Sequence, residues 1–457
     1  MAVGDGRVLI ALGERTLDWN ADFTRIDSHP NLVTNFTIDR GRQLEFDRTD
    51  TGRATVEIAD VDGILDPTNP TGPYYGLIEP LLQVVLQIYN PVSGLWQPRF
   101  RGWIDELDYS FDPSQRVNRL TISAVDIFEM LAAVEMMPGQ FGIPPTTSAA
   151  DSADQIYFQE NFVQLRITQI LENALNPPGA LDNSDYWFIF TGNVGVWDTI
   201  YSPGESALTA IQEAADAEFP GVANVFCDRF GRLCFHGRLA KLTPADIAAT
   251  TGGEWVFHDL KAGDRNAVNA DPAGTAVLNR FSFNRGLSHV INQGFATPYR
   301  VITGVPLTAA ENTGQIYKDD TSIGLRGIRS WTAENLLTKE GLIDHSSDLV
   351  ETKRFAQYYV MNYATPTNRA TETVFRTQRP GRPGAAPTWG LLSQIDIGDR
   401  LTITIDSPGG GGFHGVQFFV EGIHEQVQPL NPDYDDITLS LDLSPQAVFD
   451  PDSWPFP

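Results

Sequence analysis

The segment Leu82–Val125 reads LQVVLQIYNPVSGLWQPRFRGWIDELDYSFDPSQRVNRLTISAV, and its pattern recurs near the other end of the chain in Leu401–Leu443. Each copy has an alternating apolar strand, a turn rich in Pro or Gly, a second strand that carries an acidic residue, a loop with Pro and Asp, and a third alternating strand. Alternation of apolar and polar residues is typical of half-buried strands. The repetition therefore predicts two copies of one β-domain in a single chain.

Two further alternating segments precede the first copy, at residues 36–39 and 55–58, and both are predicted to be strands. Between them RGRQLEFDRTDTG (40–52) is charged and rich in turn residues, which predicts a connection on the surface. After them DVDGILDPTNPTGPYYG (60–76) predicts a long loop. A loop of this length in a β-domain commonly binds a ligand or contacts a neighbour.

The pattern between about residues 155 and 260 is mixed. Helical spacing predicts a helix over Phe162–Ala174, and Ser202–Glu205 has the Ser, Pro and Glu that start a helix. The hairpin 222–237 follows. This region is therefore predicted to be a small α+β unit.

Outside this unit, helical patterns are few. Asp126 and Glu129 have the spacing of a capping box, which predicts a helix over 127–137. Aromatic residues at helical spacing predict another helix over Val350–Tyr363. Between them, residues 316–336 are rich in turn residues and receive no assignment.

Together these patterns predict a mainly β protein with an α+β insert. The expected units are an N-terminal tube-like β-domain at 1–137, a small mixed α/β domain at 138–262 and a second tube-like β-domain at 263–457. A mixed insertion is expected around 300–375. A chain of 457 residues exceeds what one hydrophobic core usually serves, so several domains are expected.

The two cysteines of the chain, Cys227 and Cys234, flank the turn of the predicted hairpin. If Asp228 pairs with Arg232 across a type I turn with a bulged glycine, the two thiols point to opposite faces of the hairpin. The sequence therefore predicts two free cysteines. Folding in a reducing compartment is consistent with this pattern.

The composition limits the possible partners. The chain has 32 basic and 58 acidic residues and a formal charge of −26, so tight binding to nucleic acid through phosphate contacts is not expected. No apolar run is long enough to cross a bilayer and no signal peptide is visible, so a soluble protein is predicted.

Several segments resemble catalytic or metal-binding motifs but lack a decisive residue. His424-Glu425 begins like a zinc-protease motif but has no second histidine at the required spacing. Gly286–Val290 lacks the second glycine of a nucleophile elbow, and its surrounding sequence predicts a strand. Gly409–Gly412 lacks the Lys of a phosphate-binding loop. Asp60–Asp66 does not follow the calcium-loop order, so its Asp side chains are expected to stabilise turns. No catalytic, cofactor-binding or metal-binding residue is predicted.

Residues 36–76, with their Arg-Gly-Arg segment and a loop from Asp-Pro-Thr-Asn to Tyr-Tyr-Gly, resemble the N-terminal domain of minor tail proteins of long-tailed bacteriophages, especially those of actinobacteria. SALTAIQEAADAEFPGVANVFCDRFGRLCFHG (206–237) is similar to the second domain of phage tail-hub proteins, and residues 395–445 to their last β-domain. The resemblance thus covers three separated regions of the chain.

This resemblance implies a structural hub at the tail tip of a virion that is assembled in the host cytoplasm. Hub proteins of this type carry two tube-like β-domains per chain, so a homotrimer forms a ring of six that continues the tail tube. The implied partners are a distal tail protein, the tape-measure protein and other tip proteins. DNA is expected to pass through the channel without specific binding, and acidic residues in the lumen are expected to keep it from adhering.

Three other functions are considered. A hexameric distal tail protein has a single tube-like domain per chain, so the repeated segment argues for the trimer. A tail-associated cell-wall hydrolase needs a nucleophile, a metal site or a carboxylate pair, and no such set is identified. A carbohydrate-binding receptor module is less favoured because such modules usually lie further out on the tail fibres.

Overall fold

The structure is a computed structural model. It describes residues 7–14, 16–27, 32–111, 117–139, 156–175, 184–192, 194–241, 259–263, 274–298, 315–339, 350–406, 411–431 and 434–449. Residues 139–154, whose Gly, Pro, Ser and Ala content predicts a linker, lie outside the described residues except for Gly139, and Gly409 and Gly410 of the glycine run at 409–412 also lie outside them.

The N-terminal part consists of strands and one short helix. These elements are β1 (Arg7–Ile10), β2 (Thr24–Arg25), β3 (Leu32–Gly41), β4 (Asp50–Asp60), β5 (Gln83–Asn90), β6 (Leu95–Ser110), β7 (Asn118–Val125) and α1 (Ile127–Ala133). Asp126 caps α1, since its side chain accepts a hydrogen bond from the backbone N–H of Phe128. The predicted helix start is thus confirmed, although the helix ends four residues earlier than expected.

The middle part is mixed. It contains β8 (Ile156–Phe158), β9 (Asn161–Phe162), α2 (Val163–Leu175), β10 (Trp187–Ile189), β11 (Gly195–Val196), β12 (Thr199–Tyr201), α3 (Ala207–Glu218), β13 (Asn224–Cys227) and β14 (Leu233–His236). The predicted helix start at Ser202–Glu205 is wrong: this segment is a turn, and α3 begins after Ser206, whose side chain accepts from the N–H of Thr209. Two Ser residues with a similar context compete here, and the one nearer the apolar periodicity caps the helix.

The C-terminal part is again mainly β. It contains β15 (Asp259–Gly263), β16 (Ala276–Asn284), β17 (Gln293–Pro298), β18 (Gln315–Lys318), α4 (Asp320–Arg326), β19 (Ser330–Leu336), α5 (Val350–Tyr363), β20 (Arg369–Arg376), α6 (Ala385–Gln394), β21 (Arg400–Asp406), β22 (Gly412–Asn431) and β23 (Tyr434–Pro445). Helix α5 has the predicted bounds. The unassigned stretch at 316–336 is a strand, a helix and a strand, and β20, at the end of the expected insertion, belongs to the large sheet.

The strands of both ends form one sheet of 13 strands in the order β2-β1-β5-β6-β7-β4-β3-β22-β21-β15-β16-β20-β23, and β22 also pairs with β23. The C-terminal strands therefore close into a six-stranded barrel, in the order β22-β21-β15-β16-β20-β23. The order β1-β5-β6-β7-β4-β3 corresponds strand by strand to β15-β21-β22-β23-β20-β16, and in both sets the matching strands follow one another in the same sequence. The two sets are called the N-terminal and C-terminal β-domains below.

The two β-domains also share irregularities. A register shift lies between Leu86 and Gln87 in β5 and between Ile403 and Ile405 in β21. A second shift follows Ile104 in β6 and Val420 in β22. Both shifts lie at equivalent positions in the two β-domains. A bulge increases the local twist of a strand, so matching bulges give the two domains a similar shape.

A third shared shift lies between Val33 and Asn35 in β3 and between Leu278 and Arg280 in β16. Agreement at three bulges is much more specific than agreement of alternating patterns. The predicted repetition is therefore confirmed in strand order and in strand direction, with one exception: β15 runs parallel to β21, whereas β1 runs antiparallel to β5. The predicted rotation of about 60° between the domains stays a prediction.

Two hydrophobic cores organise the chain. One fills the interiors of both β-domains and includes helix α6, whose fully buried Trp389 donates from Nε1 to the carbonyl of Gln378. The other joins the middle part to the segment between β16 and β20, where Phe219 packs against Phe355 and Tyr358. The predicted fold class, mainly β with an α+β insert, is confirmed. In the described part of the chain, no helix is both long enough and apolar enough to span a membrane.

Candidate functional site

The two β-domains meet where β3 pairs with β22. The strands run antiparallel, and Phe36–Gly41 lies opposite Gly422–Val427. This contact is called the seam. Because backbone hydrogen bonds cross it, the sheets of the two domains form one continuous surface.

The end of the seam requires a glycine at position 41. Gly41 has φ = +98°, and a Cβ on it would lie 2.2 Å from the carbonyl oxygen of Glu421. Only glycine tolerates both this backbone conformation and this approach. The Arg-Gly-Arg segment identified in the sequence thus lies at one end of the seam.

Arg42 connects three parts of the chain behind the seam. Its Nε donates to Glu421 at 2.9 Å, Nη2 donates to the carbonyl of Gly221 at 3.0 Å and Nη1 donates to the carbonyl of Asp47 at 3.0 Å. Glu421 also accepts hydrogen bonds from Lys241 and Ser444. All of these ionisable side chains are almost completely buried.

The charges of this cluster are matched. Burial opposes ionisation of Glu421, but the charges of Arg42 and Lys241 outweigh it and lower the pKa of the carboxyl group to about 2. Burial lowers the pKa of Lys241 to about 8, and Arg42 adds to this while Glu421 opposes it. Glu421 thus faces two cations, Arg42 and Lys241, whereas Lys241 shares its single anion with Arg42.

A second buried ion pair lies beside the first. Arg40 Nη1 donates to Asp396 at 2.9 Å and to the carbonyl of Cys227 at 3.1 Å. The other carboxylate oxygen of Asp396 accepts from the backbone N–H of Arg229. Burial opposes ionisation of Asp396, but Arg40 and Arg229 prevail and lower its pKa. This pair fixes the cysteine hairpin against both β-domains.

Two further pairs extend the network. Arg99 on β6 donates from Nε to Glu425 on β22 at 2.8 Å. Glu45 accepts from Arg369 Nη1 at 2.9 Å and from the hydroxyl of Tyr363 at 3.0 Å. Buried ion pairs are costly to break from one side, because the remaining charge is left without a partner. The seam therefore fixes the relative position of three parts of the chain.

The prediction that residues 40–52 form a surface connection is wrong. Arg40, Arg42, Glu45 and Thr49 are all buried. Charge normally indicates exposure, but here each charge has a partner supplied by a distant segment. The alternation in β3 contained a signal, because Arg40 occupies the same inward phase as Phe36 and Ile38.

The opposite face of the seam is open to solvent. His424 is half exposed there, and its Nδ1 lies 2.8 Å from Asp39 while its Nε2 lies 2.9 Å from Asp442. Hydrogen bonds to Asp39 and Asp442 raise the pKa of His424 to about 10. The ring is therefore an imidazolium that bridges β3 and β23 across β22.

This solvent face is polar across several strands. It is formed by the outward positions of β6, β7, β4, β3, β22 and β23, which alternate with buried apolar positions. Threonine, serine and glutamine dominate it, and acidic residues such as Glu106, Asp108 and Asp436 outnumber the basic ones. A cleft of about 320 Å³ beside His424 has the same polar lining.

The other motifs found in the sequence have structural roles. Asp60 accepts hydrogen bonds from the backbone N–H groups of Ile64 and Leu65, and Asp66 accepts from that of Thr68, as expected for turn-stabilising side chains. Gly286–Val290 was expected to lie within a strand, and this prediction is wrong, because the segment forms a turn between β16 and β17. Within the described residues, no group of three metal-binding side chains converges.

The cysteine hairpin has the predicted register. Cys227 lies opposite Leu233 and Phe226 lies opposite Cys234, with Gly231 at φ = +83°. Both cysteines are free and buried, and each belongs to a different hydrophobic core, so the thiols point to opposite faces. The two predicted free cysteines are thus confirmed.

No protein-family model matches the sequence, and no curated protein is matched. Among solved structures, a tail protein from Neisseria meningitidis MC58 superposes with a TM-score of 0.53 at 13% identity, over 99% of this chain and 100% of that one. A 43 kDa tail protein of prophage MuSo2 from Shewanella oneidensis superposes with a TM-score of 0.50 at 12% identity, over 97% of this chain and 100% of that one.

The chain shares the fold of these two tail proteins. At this level of identity the likeness is one of fold, and it extends over the whole described architecture, including the middle part. The resemblance to tail proteins of bacteriophages is therefore confirmed, whereas an origin among actinobacteriophages stays a prediction. Within this tail-protein fold, the seam is the feature that joins all the parts of the chain.

Proposed function

We propose that the chain is a non-enzymatic hub protein at the tail tip of a bacteriophage virion. Three copies form a ring in which six β-domains continue the sixfold tail tube. A distal tail protein binds one side of this ring, and the tape-measure protein and other tip proteins bind the remaining surfaces. Assembly takes place in the host cytoplasm, before the virion is released.

The observation that carries this proposal is the correspondence of the two β-domains. They share the same strand order and three bulges, and they are joined edge to edge by the seam. Two equivalent domains side by side in one chain provide one third of a sixfold ring. Repeated domains that pair through their edges also remove exposed strand edges, which otherwise favour aggregation.

The same observation separates the hub from a distal tail protein. A ring of six subunits with one tube-like domain each needs no second domain, and no joint within the chain. The buried ion pairs of the seam hold the two domains in a fixed orientation, as is needed when both belong to the same wall. The stoichiometry that follows is three chains.

A structural role also agrees with the chemistry of the buried groups. The buried carboxylates Glu421, Asp396 and Glu425 are each bound to an arginine. A general acid or nucleophile needs a group that can change its protonation state or attack a substrate. Carboxylates neutralised in this way stabilise the fold instead.

The polar face of the sheet is proposed to line the channel. Hydroxyl, amide and carboxylate groups remain hydrated, and an excess of negative charge disfavours adsorption of DNA. DNA then passes without specific binding. A ring whose channel is lined by a neutral or basic surface would contradict this orientation.

Native mass spectrometry of the purified chain tests the proposal. The expected species has three times the mass of the 50.4 kDa chain, and electron microscopy of it is expected to show a ring with threefold symmetry and six similar lobes. A stable hexamer would favour the distal tail protein. A monomer that persists at high concentration and in the presence of tube proteins would overturn the ring.

A further inference from the structure

The seam joins β3 of the N-terminal β-domain to β22 of the C-terminal β-domain. Each of these two strands has an equivalent strand in the other domain. β3 of the first domain corresponds to β16 of the second, and β22 of the second corresponds to β6 of the first. The chain uses β3 and β22 to join its own domains. It therefore retains one unused copy of each strand, β16 and β6.

The shared bulges fix the register of this correspondence. In β16 a bulge lies between Leu278 and Arg280, and in β3 the equivalent bulge lies between Val33 and Asn35. Ser282 is therefore equivalent to Thr37. In the second pair, Trp103 and Phe419 precede equivalent bulges, so Ser110 is equivalent to Gln426.

Among the residues that the structure describes, each unused strand has one edge without a strand partner. From Leu278 onward β16 pairs with β20 on one side, and beyond Ile104 β6 pairs with β7 on one side. No other described strand pairs with these segments. An unpaired strand edge offers free N–H and C=O groups to a second chain.

Each of these edges carries an exposed aromatic side chain. Phe283 on β16 is 50% exposed, and Phe111, directly after β6, is 59% exposed. Glu106 and Asp108 give β6 exposed carboxylates, and the exposed Arg280 on β16 forms an ion pair with Glu372 on β20. Exposed aromatic residues are characteristic of protein interfaces.

We infer that β16 of one copy pairs antiparallel with β6 of the next copy, with Ser282 opposite Ser110. This contact repeats between chains the joint that β3 and β22 make within each chain, where Thr37 lies opposite Gln426. The contact is heterologous, and its repetition closes into a ring of three when successive copies are related by one third of a turn. The inference rests on the proposed hub function and specifies the surfaces that assemble it.

Disulfide trapping tests the register. Directly opposed residues in an antiparallel pair have Cα atoms about 4.5–5.5 Å apart, within the range that a disulfide spans. The variant Ser110→Cys/Ser282→Cys is expected to form covalent dimers and trimers on mild oxidation, and a reductant is expected to reverse this. The natural cysteines do not interfere because both are buried.

Two matched variants accompany it. Thr37→Cys/Gln426→Cys places the thiols at the equivalent positions within the chain, so a disulfide is expected without any increase in mass. Ser93→Cys/Ser282→Cys replaces the β6 position with an exposed residue of the turn before it and is expected to give no covalent oligomer. Oligomers from this last variant at the same yield would show that trapping is unspecific and would overturn the register.

Native mass spectrometry of the unmodified chain separates the two hypotheses. A native trimer whose Ser110→Cys/Ser282→Cys variant does not cross-link would overturn this contact and leave the hub proposal standing. A stable hexamer, or a monomer that persists at high concentration and in the presence of tube proteins, would overturn the hub. Independently, Phe283→Glu places a charge opposite Tyr109 in the inferred register and is expected to abolish the trimer, whereas Leu325→Glu, at a residue 73% exposed on α4, is expected to leave it intact.

Discussion

Replacing Glu421 with glutamine tests how strongly the seam is held by charge. The substitution conserves the shape of the side chain but leaves Arg42 and Lys241 buried without their anion. The pKa of Glu421 is about 2 instead of 4.5, which corresponds to about 3 kcal/mol in favour of the ionised carboxylate. This agrees with the roughly 3–5 kcal/mol by which removing one partner of a buried pair destabilises a protein. We therefore expect a loss of about 3 kcal/mol in the free energy of unfolding at neutral pH.

The same argument gives a pH dependence. The pKa of Glu421 is lower in the folded chain than in the unfolded chain, so its ionisation stabilises the fold above the unfolded value. This contribution is lost as the pH falls from about 4.5 toward about 2. The difference between the natural chain and Glu421→Gln is therefore expected to be full at neutral pH and to fall by about half at about pH 3.

Urea unfolding followed by tryptophan fluorescence measures both quantities. Glu372→Gln is the matched control, because its partner Arg280 has a side chain that is 71% exposed. Exposed pairs contribute at most about 1 kcal/mol, so this variant is expected to be nearly as stable as the natural chain. Equal stability of Glu421→Gln and Glu372→Gln at neutral pH would refute the reasoning.

Three further predictions concern other parts of the structure. Gly41→Ala is expected to destabilise the chain by at least roughly 1–3 kcal/mol in thermal or urea unfolding because of its positive φ, whereas Gly390→Ala, with open space around it, is expected to cause no loss. His424 is expected to remain protonated from about pH 5 to about pH 8 in a proton NMR titration, because its folded pKa is about 10. The stability that its protonation contributes is full below about pH 6.5 and is lost as the pH rises toward 10. A titration midpoint of His424 near pH 6.5 would contradict this. Trp389→Ala is expected to cost about 3–5 kcal/mol, measured by chemical denaturation, because the side chain is completely buried between the β-domains, and Trp389→Phe is expected to cost less.

The β-domains could be predicted because their information is local. Alternation in residues 82–125 and 401–443 specifies which face of each strand is buried, and the repetition specifies the topology of both meanders. The hairpin at Cys227 and Cys234 was predictable for the same reason, since the type of turn fixes its register. Helix α5 followed from its aromatic spacing.

The seam could not be predicted, because its partners are far apart in sequence. Arg42 and Glu421 are separated by 379 positions, and nothing in either local segment identifies the other as its partner. Charged residues in an alternating strand indicated exposure, although the phase of Arg40 indicated burial. The segment at 316–336 could not be assigned for another reason: its two strands and its helix are short, and both strands are held by pairing with β17 and by packing against α5, which are contacts distant in sequence.

The seam also has a consequence for the kinetics of assembly. Because β3 and β22 belong to one polypeptide, their joint forms at an effective concentration on the order of millimolar, whatever the dilution of the protein. In the proposed ring, half of the six joints are therefore made during folding of the individual chains, and only the other half depend on collisions between molecules. Assembly of the proposed ring thus begins with preformed thirds of its wall.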